Sequence, residues 1–407
     1  MHFQEEFMKR AILLILSFIL LFLLSACSNG TQSSDASAPI SKAPGFYELG
    51  IPSSESYTDF HINARNPWDM IVGGGKLYIG GGDYDFNTGP ADIWVYDIKT
   101  EKWSNSGTVQ DEQVGRFIRI GDKIIAPGID PRYDPENGRC YILNNSKWET
   151  FCEVPDAVHT FDIIEFDGKL FFGIGTNDGT GDTPIKMSTD GGKTFSDVNA
   201  YYEGVPVPEM EGCVCLRTTD FFVANGELYC LLVANNGKYH EYRYFKYDGE
   251  SFQYHSKFGP NKSFSNWQRS RIGEKVTVGQ YCFLTTGYLY KTKDFTETCE
   301  VPSPYNPEPD QHTLIALETP DKGFVMDLLT EENQETCATD LYVLSSTKDN
   351  KTTIWKYVSD TEFKEIYSFD YSVMAMSFAK YENRFYVGMG GNNRQADTVG
   401  SIVEIVL

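Results

Sequence analysis

"MIVGGGKLYIGGG", residues 70–82, reads as two short apolar strands folded about a glycine turn. Alternating aliphatic and aromatic positions suit half-buried strands, and consecutive glycines supply the positive φ angles of a tight hairpin. The same grammar recurs in "FIRIGDKIIAPG" (117–128), "DIIEFDGKLFFGIG" (162–175), "FFVANGELYCLLVA" (221–234) and "SFAKYENRFYVGMGG" (377–391). Two weaker copies are "EKVTVGQYCFLTTG" (274–287) and "IALETPDKGFVMDLL" (315–329). Helical periodicity is confined to the N-terminal segment. Repeats of about fifty residues built from short strands predict an all-β chain, a seven-bladed β-propeller of four-stranded antiparallel blades over residues 45–407.

The last copy supplies only three strands before the chain ends, and "FYELGI" (46–51) is expected to complete that blade. Such closure removes an exposed sheet edge. In the first copy Gly81 and Gly82 follow an apolar strand, and six residues separate Tyr96 from Trp103. This pattern resembles the kelch repeat, whose glycines end the second strand and whose aromatics pack between blades. "STDGGKTF" (188–195) carries Ser188, Asp190, Gly192, Thr194 and Phe195 at the spacing of the Asp-box. It resembles the turn that joins the outer strands of a blade in sialidase-like propellers, which implies a structural corner, not a working site.

The first 26 residues read as a secretory signal. Lys9 and Arg10 precede an apolar run from Ala11 to Leu24, and Leu24-Ser25-Ala26-Cys27 is similar to a bacterial lipobox. Glu5 and Glu6 do not suit a basic leader, so Met8 is the expected start. The resemblance implies lipid on Cys27 and anchorage to the outer side of a bacterial membrane. Residues 27–44 then form the lipidated end and a flexible tether of small polar residues.

A formal charge of −22 repels polyanions and argues against nucleic acid as a partner. Apart from Cys27 the chain has Cys140, Cys152, Cys213, Cys215, Cys230, Cys282, Cys299 and Cys337. Cys140 and Cys152 flank a turn and are the candidate disulfide; the others read as buried thiols. No zinc spacing and no cofactor motif is present, so no metal or cofactor is expected.

The first hairpin turns are tight, whereas the loops between second and third strands and between blades are long and dissimilar. Partners are therefore expected on the long-loop face. Alignment of the copies brings Asn66, Gln113, His159, Arg217, Ser270 and His312 to the channel mouth, with Arg116, Arg269 and Arg271 nearby. Arg116, His159, Arg217, Arg271 and His312 would suit a carboxylate or sulfate ligand. Trp68, Tyr84, Tyr201, Tyr202, Trp267 and Tyr305 could stack on sugar rings. One turn deeper, Asp69, Arg116, Asp162 and Asp220 occupy matching positions, and pairing across blades is the alternative role for them. Asp83, Asp85 and Asp92, and Asp178 with Asp182, read as solvated loop acids ahead of a calcium site.

No catalytic residues can be assigned. The Arg-Ile-Pro sequence of sialidases is absent, since Arg119-Ile120 and Arg271-Ile272 are each followed by glycine. The leading functional expectation is an envelope-anchored, non-catalytic binding module for glycan or peptide. The alternatives are a glycan-active hydrolase acting on an acidic sugar and a scaffold in a membrane complex.

Overall fold

The computed structural model describes residues 42–52, 64–83, 89–131, 137–176, 183–209, 215–235, 240–257, 274–285, 287–296, 299–301, 310–312, 315–333, 336–391 and 397–407. The chain divides into two compact units, Met1–Ser41 and Lys42–Leu407. The first, with Cys27 and the expected signal, lies outside the described residues. Among the described residues no helix is long and apolar enough to cross a membrane.

The second unit is an all-β propeller of small four-stranded antiparallel blades. Five four-stranded sheets stand as separate blades, where the sequence predicted seven. The first holds Asp69–Gly73, Lys76–Gly80, Ala91–Asp97 and Lys102–Val109, and the last is completed by the N-terminal strand. The difference has a local cause. A twelve-stranded sheet contains two runs of four antiparallel strands, one from His159–Phe166 to Ser196–Asp197 and one from Cys215–Ala224 to Phe252–Lys257. They are joined where Gly175 pairs with Arg217. A Cβ at Gly175 would stand 2.7 Å from the His159 ring, so the glycine makes room for that ring at the junction.

The hairpins form for the reason read in the sequence. Asp167 and Gly168 have φ of 50° and 71°, and Asn225 and Gly226 have 51° and 76°. Two successive positive φ values match the right-handed twist of the flanking strands. One copy was framed wrongly. Ile315–Leu317 is the outer partner of Leu289–Thr292, whereas Phe324–Glu332 pairs with Thr339–Ser346. "IALETPDKGFVMDLL" therefore spans the junction between two sheets, and its turn is not a first hairpin.

Gly45–Gly50 pairs antiparallel with Ile402–Val406, Gly45 opposite Val406 and Glu48 opposite Val403. Phe46 packs on Phe369 with centroids 5.1 Å apart. Buried apolar clusters lie between successive sheets. Met70, Leu77 and Tyr96 pack against Tyr386 and Ile402, which joins the last sheet to the first. The kelch aromatics stand here: Tyr96 and Trp103 lie 4.9 Å apart, and Trp103 Nε1 donates to Leu49 O at 2.9 Å.

The turn at 188–195 connects Ile185–Ser188 to Ser196–Asp197, with Met187 opposite Ser196. Asp190 Oδ1 accepts the amides of Lys193 and Thr194 at 3.0 and 2.9 Å, and Ser188 Oγ accepts that of Gly192 at 2.9 Å. The Thr194 amide and hydroxyl and the Ser188 hydroxyl hold the Asp190 carboxyl well below its ordinary range. Phe195 packs on Phe172 at 5.2 Å. The motif forms the turn between these two strands.

Candidate functional site: the central channel

The inner strands carry a repeated irregularity. Register shifts fall between Thr160 and Asp162, Thr218 and Asp220, Val325 and Asp327, and Ala375 and Ser377. Each bulge adds a residue to the inner strand and re-aims the polar side chain that follows. These side chains hold neighbouring sheets together. Asp162 accepts the amide of Phe221 at 2.7 Å; Asp69, on a strand whose pairing carries no bulge, accepts those of Met70 at 2.6 Å and Phe117 at 2.5 Å. Asp327 accepts Leu328 N at 2.7 Å and Phe378 N at 2.8 Å. Ser377 Oγ donates to Pro67 O at 2.6 Å.

Two cations meet two of these acids. Arg116 Nη1 lies 3.2 Å from Asp162 and Nη2 lies 3.0 Å from Asp220. Lys275 Nζ lies 2.6 Å from Asp162 and 3.2 Å from Asp220. Burial pulls the Arg116 pKa down, but Asp220, Asp162 and Glu274 together hold it above the ordinary value. Three further carboxyls surround this cluster. Burial pushes Asp69 up to about 7, reinforced by the charge of Glu274. Burial also raises Glu274 against the pull of Arg116 and Lys275, and it raises Asp327 well above its range, aided by Asp69 and Glu274. Arg116, Asp162 and Asp220 pair across sheets, whereas Asp69 reaches the neighbouring sheet through the Phe117 amide.

Nearer the mouth, the expected ligand residues divide. Asn66 is fully buried, and its Oδ1 accepts Gly391 N at 2.9 Å. Gln113 is buried in the short strand Asp111–Gln113, paired with Ile129–Pro131. Both fasten neighbouring sheets. His159 and Arg217 do converge, because both are register partners of Gly175. The His159 ring stands 5.0 Å from that of Phe161, and the Arg217 guanidinium lies 5.9 Å from the same ring. His159 Nδ1 lies 3.0 Å from Asp130 Oδ1. Arg116 does not join them; its charge is spent in the deeper cluster.

Trp68 is half-buried and donates Nε1 to Gly82 O at 2.6 Å. It is pinned, not presented. Tyr202 meets Tyr254 edge-on at 4.7 Å under the Arg243 guanidinium, 4.2 Å from the Tyr202 centroid. Trp267, Arg269, Ser270, Arg271, Tyr84, Tyr305, Asp85, Asp178 and Asp182 lie outside the described residues, as does the side chain of His312. Asp92 accepts the Thr108 hydroxyl at 2.6 Å. Among the described residues no group of three or more His, Cys, Asp or Glu is placed to hold a metal ion.

Sequence reasoning missed Glu274, Lys275, Asp327 and Asp130. One usable signal was spacing. Asp69, Arg116, Asp162 and Asp220 each stand five residues before the first residue of their hairpin turn, and the same count in the fifth hairpin gives Glu274. Asp327 was hidden by the wrong frame of its copy.

Residues 70–109 match the kelch motif. No curated protein matches the chain. Among solved structures, the chain is similar to virginiamycin B lyase from Staphylococcus aureus, at 10% identity over 90% of this chain and 100% of that one, with a TM-score of 0.46. The WD40 β-propeller domain of Doa1 aligns at 10% identity over 90% and 97%, with a TM-score of 0.47. A GH93 α-L-arabinofuranosidase of Fusarium graminearum aligns at 11% identity over 88% and 97%, with a TM-score of 0.44. The kelch match falls on the sheet whose glycines and Tyr96–Trp103 pair carried the resemblance.

Proposed function

We propose that this protein is an envelope-anchored binding module that docks a glycan or peptide on its long-loop face and does not hydrolyse it. The supporting observation is the engagement of Arg116 by both Asp162 and Asp220 inside the channel. A hydrolase gripping an acidic sugar would need that guanidinium for substrate; here it neutralises the scaffold. The ligand-facing pair in this reading is His159 and Arg217 about Phe161, which suits a carboxylate or sulfate group. Lipid on Cys27 anchors the protein, and residues 28–44 give the domain its reach.

The ring in this reading has seven blades. The two four-stranded runs inside the twelve-stranded sheet count as blades fused at Gly175–Arg217. A glycan array probed with the mature protein tests the binding function. Retention on carboxylated or sulfated glycans, weakened by Arg217→Ala, is expected. Equal binding by wild type and variant would remove the mouth from the account. The hydrolase reading draws on Asp69, whose pKa near 7 would suit a general acid, although both its oxygens already accept backbone amides.

A further inference from the structure

Cys140 and Cys152 are directly opposed across the antiparallel strands Asn137–Asn144 and Lys147–Pro155. Opposed residues in such a ladder have Cα atoms about 4.5–5.5 Å apart, inside the window of about 4.4–6.8 Å that a disulfide spans. Both are thiols in this structure, and Cys152 is close enough to bear on the ionisation of Cys140. Both are buried, at 0% and 6% exposure, among Ile125, Val154, Ile163 and Phe172.

What covers the pair comes from later in the chain. Gly192, in the turn at 188–195, lies so close that an added Cβ would stand 3.5 Å from Cys152 Cβ and 3.3 Å from the Phe151 ring. Its φ of 88° also disfavours any side chain. Phe195 of the same turn packs into the cluster that holds both cysteines. In the folded protein burial raises the Cys140 thiol well above its ordinary range, which suppresses the reactive thiolate.

We propose that Cys140 and Cys152 form a disulfide while their hairpin is still uncovered, and that the 188–195 turn then seals it from reductants. The step is thiol–disulfide exchange. An external disulfide accepts two electrons and two protons and becomes two thiols, while the Cys140 and Cys152 Sγ atoms lose their hydrogens and bond. The proposal needs an oxidising compartment, which export would provide; it does not depend on the ligand reading.

The test uses the full chain secreted into an oxidising compartment, quenched with an alkylating agent and mapped by proteolysis without reductant. A Cys140–Cys152 linked peptide is expected, and its reduction by dithiothreitol should be at least about a hundredfold slower in native buffer than in denaturant. Gly192→Ala, which disturbs the covering turn, should speed native reduction. If that variant does not fold, Phe195→Leu serves the same comparison. Two freely alkylated cysteines in the secreted protein would overturn the proposal, as would linkage of either to the exposed Cys337, or reduction equally fast in both buffers.

Discussion

Arg116 Nη2 lies 3.0 Å from Asp220 Oδ1, although 104 residues separate them. With Asp162 and Lys275 they form a cluster of alternating charge in which each cation serves both acids. Taking one partner out of such a buried set leaves a carboxylate that the remaining lysine cannot fully compensate. Arg116→Met should therefore lower unfolding stability by about 3 kcal/mol in denaturant titration. Arg217→Ala should cost less than about 1 kcal/mol, since the residue is only half-buried and its guanidinium lies beside Phe161. Equal losses would erase the distinction between channel scaffold and mouth.

Asp327 gives a second measurement. Its two oxygens accept the amides of Leu328 and Phe378, one on its own strand and one on the neighbouring sheet. Asn keeps one acceptor and turns an N–H₂ toward the other donor. Asp327→Asn should cost about 1–3 kcal/mol, seen as a lower denaturation midpoint with an unchanged slope. A neutral result would mean that the inter-sheet amide finds another acceptor.

The raised carboxyls set a pH dependence. The folded pKa of Asp69 is about 7, above the ordinary value of 3.8. Between those values the folded protein holds a proton that the unfolded chain has lost. The contribution of Asp69 is therefore full below about pH 4 and is lost as pH rises through about 7. Glu274 and Asp327 shift in the same direction. Subtracting the stability profile of Asp69→Asn from that of wild type isolates the effect. The difference should fall between pH 4 and 7 and flatten above; a rising difference would place the titrating proton elsewhere.

Ring closure is open to truncation. Lys42 bridges Glu101 at 2.7 Å and the buried Glu404 at 2.5 Å, and Trp103 Nε1 holds Leu49 O. Removing residues 28–41 should leave the melting temperature nearly unchanged. Removing residues 28–51 should cost several kcal/mol, about half the stability of an ordinary domain, by exposing the edge of Ile402–Val406. Identical melting curves would show that closure does not depend on this strand.

The hairpins were legible because their cause is local: alternating strands and turn residues able to take positive φ, as at Asn225–Gly226. N-terminal closure was legible from a missing strand. The separation of sheets was not, because the Gly175–Arg217 contact depends on how closely two distant strands approach. The channel was half legible. Equivalent positions in clear repeats gave Asp69, Arg116, Asp162 and Asp220, but Lys275 stands one residue past the matching position, Glu274, and Asp327 sits in a copy that was misframed. Asp130 belongs to an irregular strand, where spacing carries no information about facing.

The most direct test of the binding-module account is turnover. The protein without residues 1–26 should be incubated with chromogenic sialosides and uronosides from pH 4 to 8, and chromophore release followed against buffer. No release above buffer is predicted at any pH. Release by wild type that disappears in Arg116→Met while the melting temperature is unchanged would contradict the account, because it would make Arg116 a substrate-binding residue and not a strut of the channel.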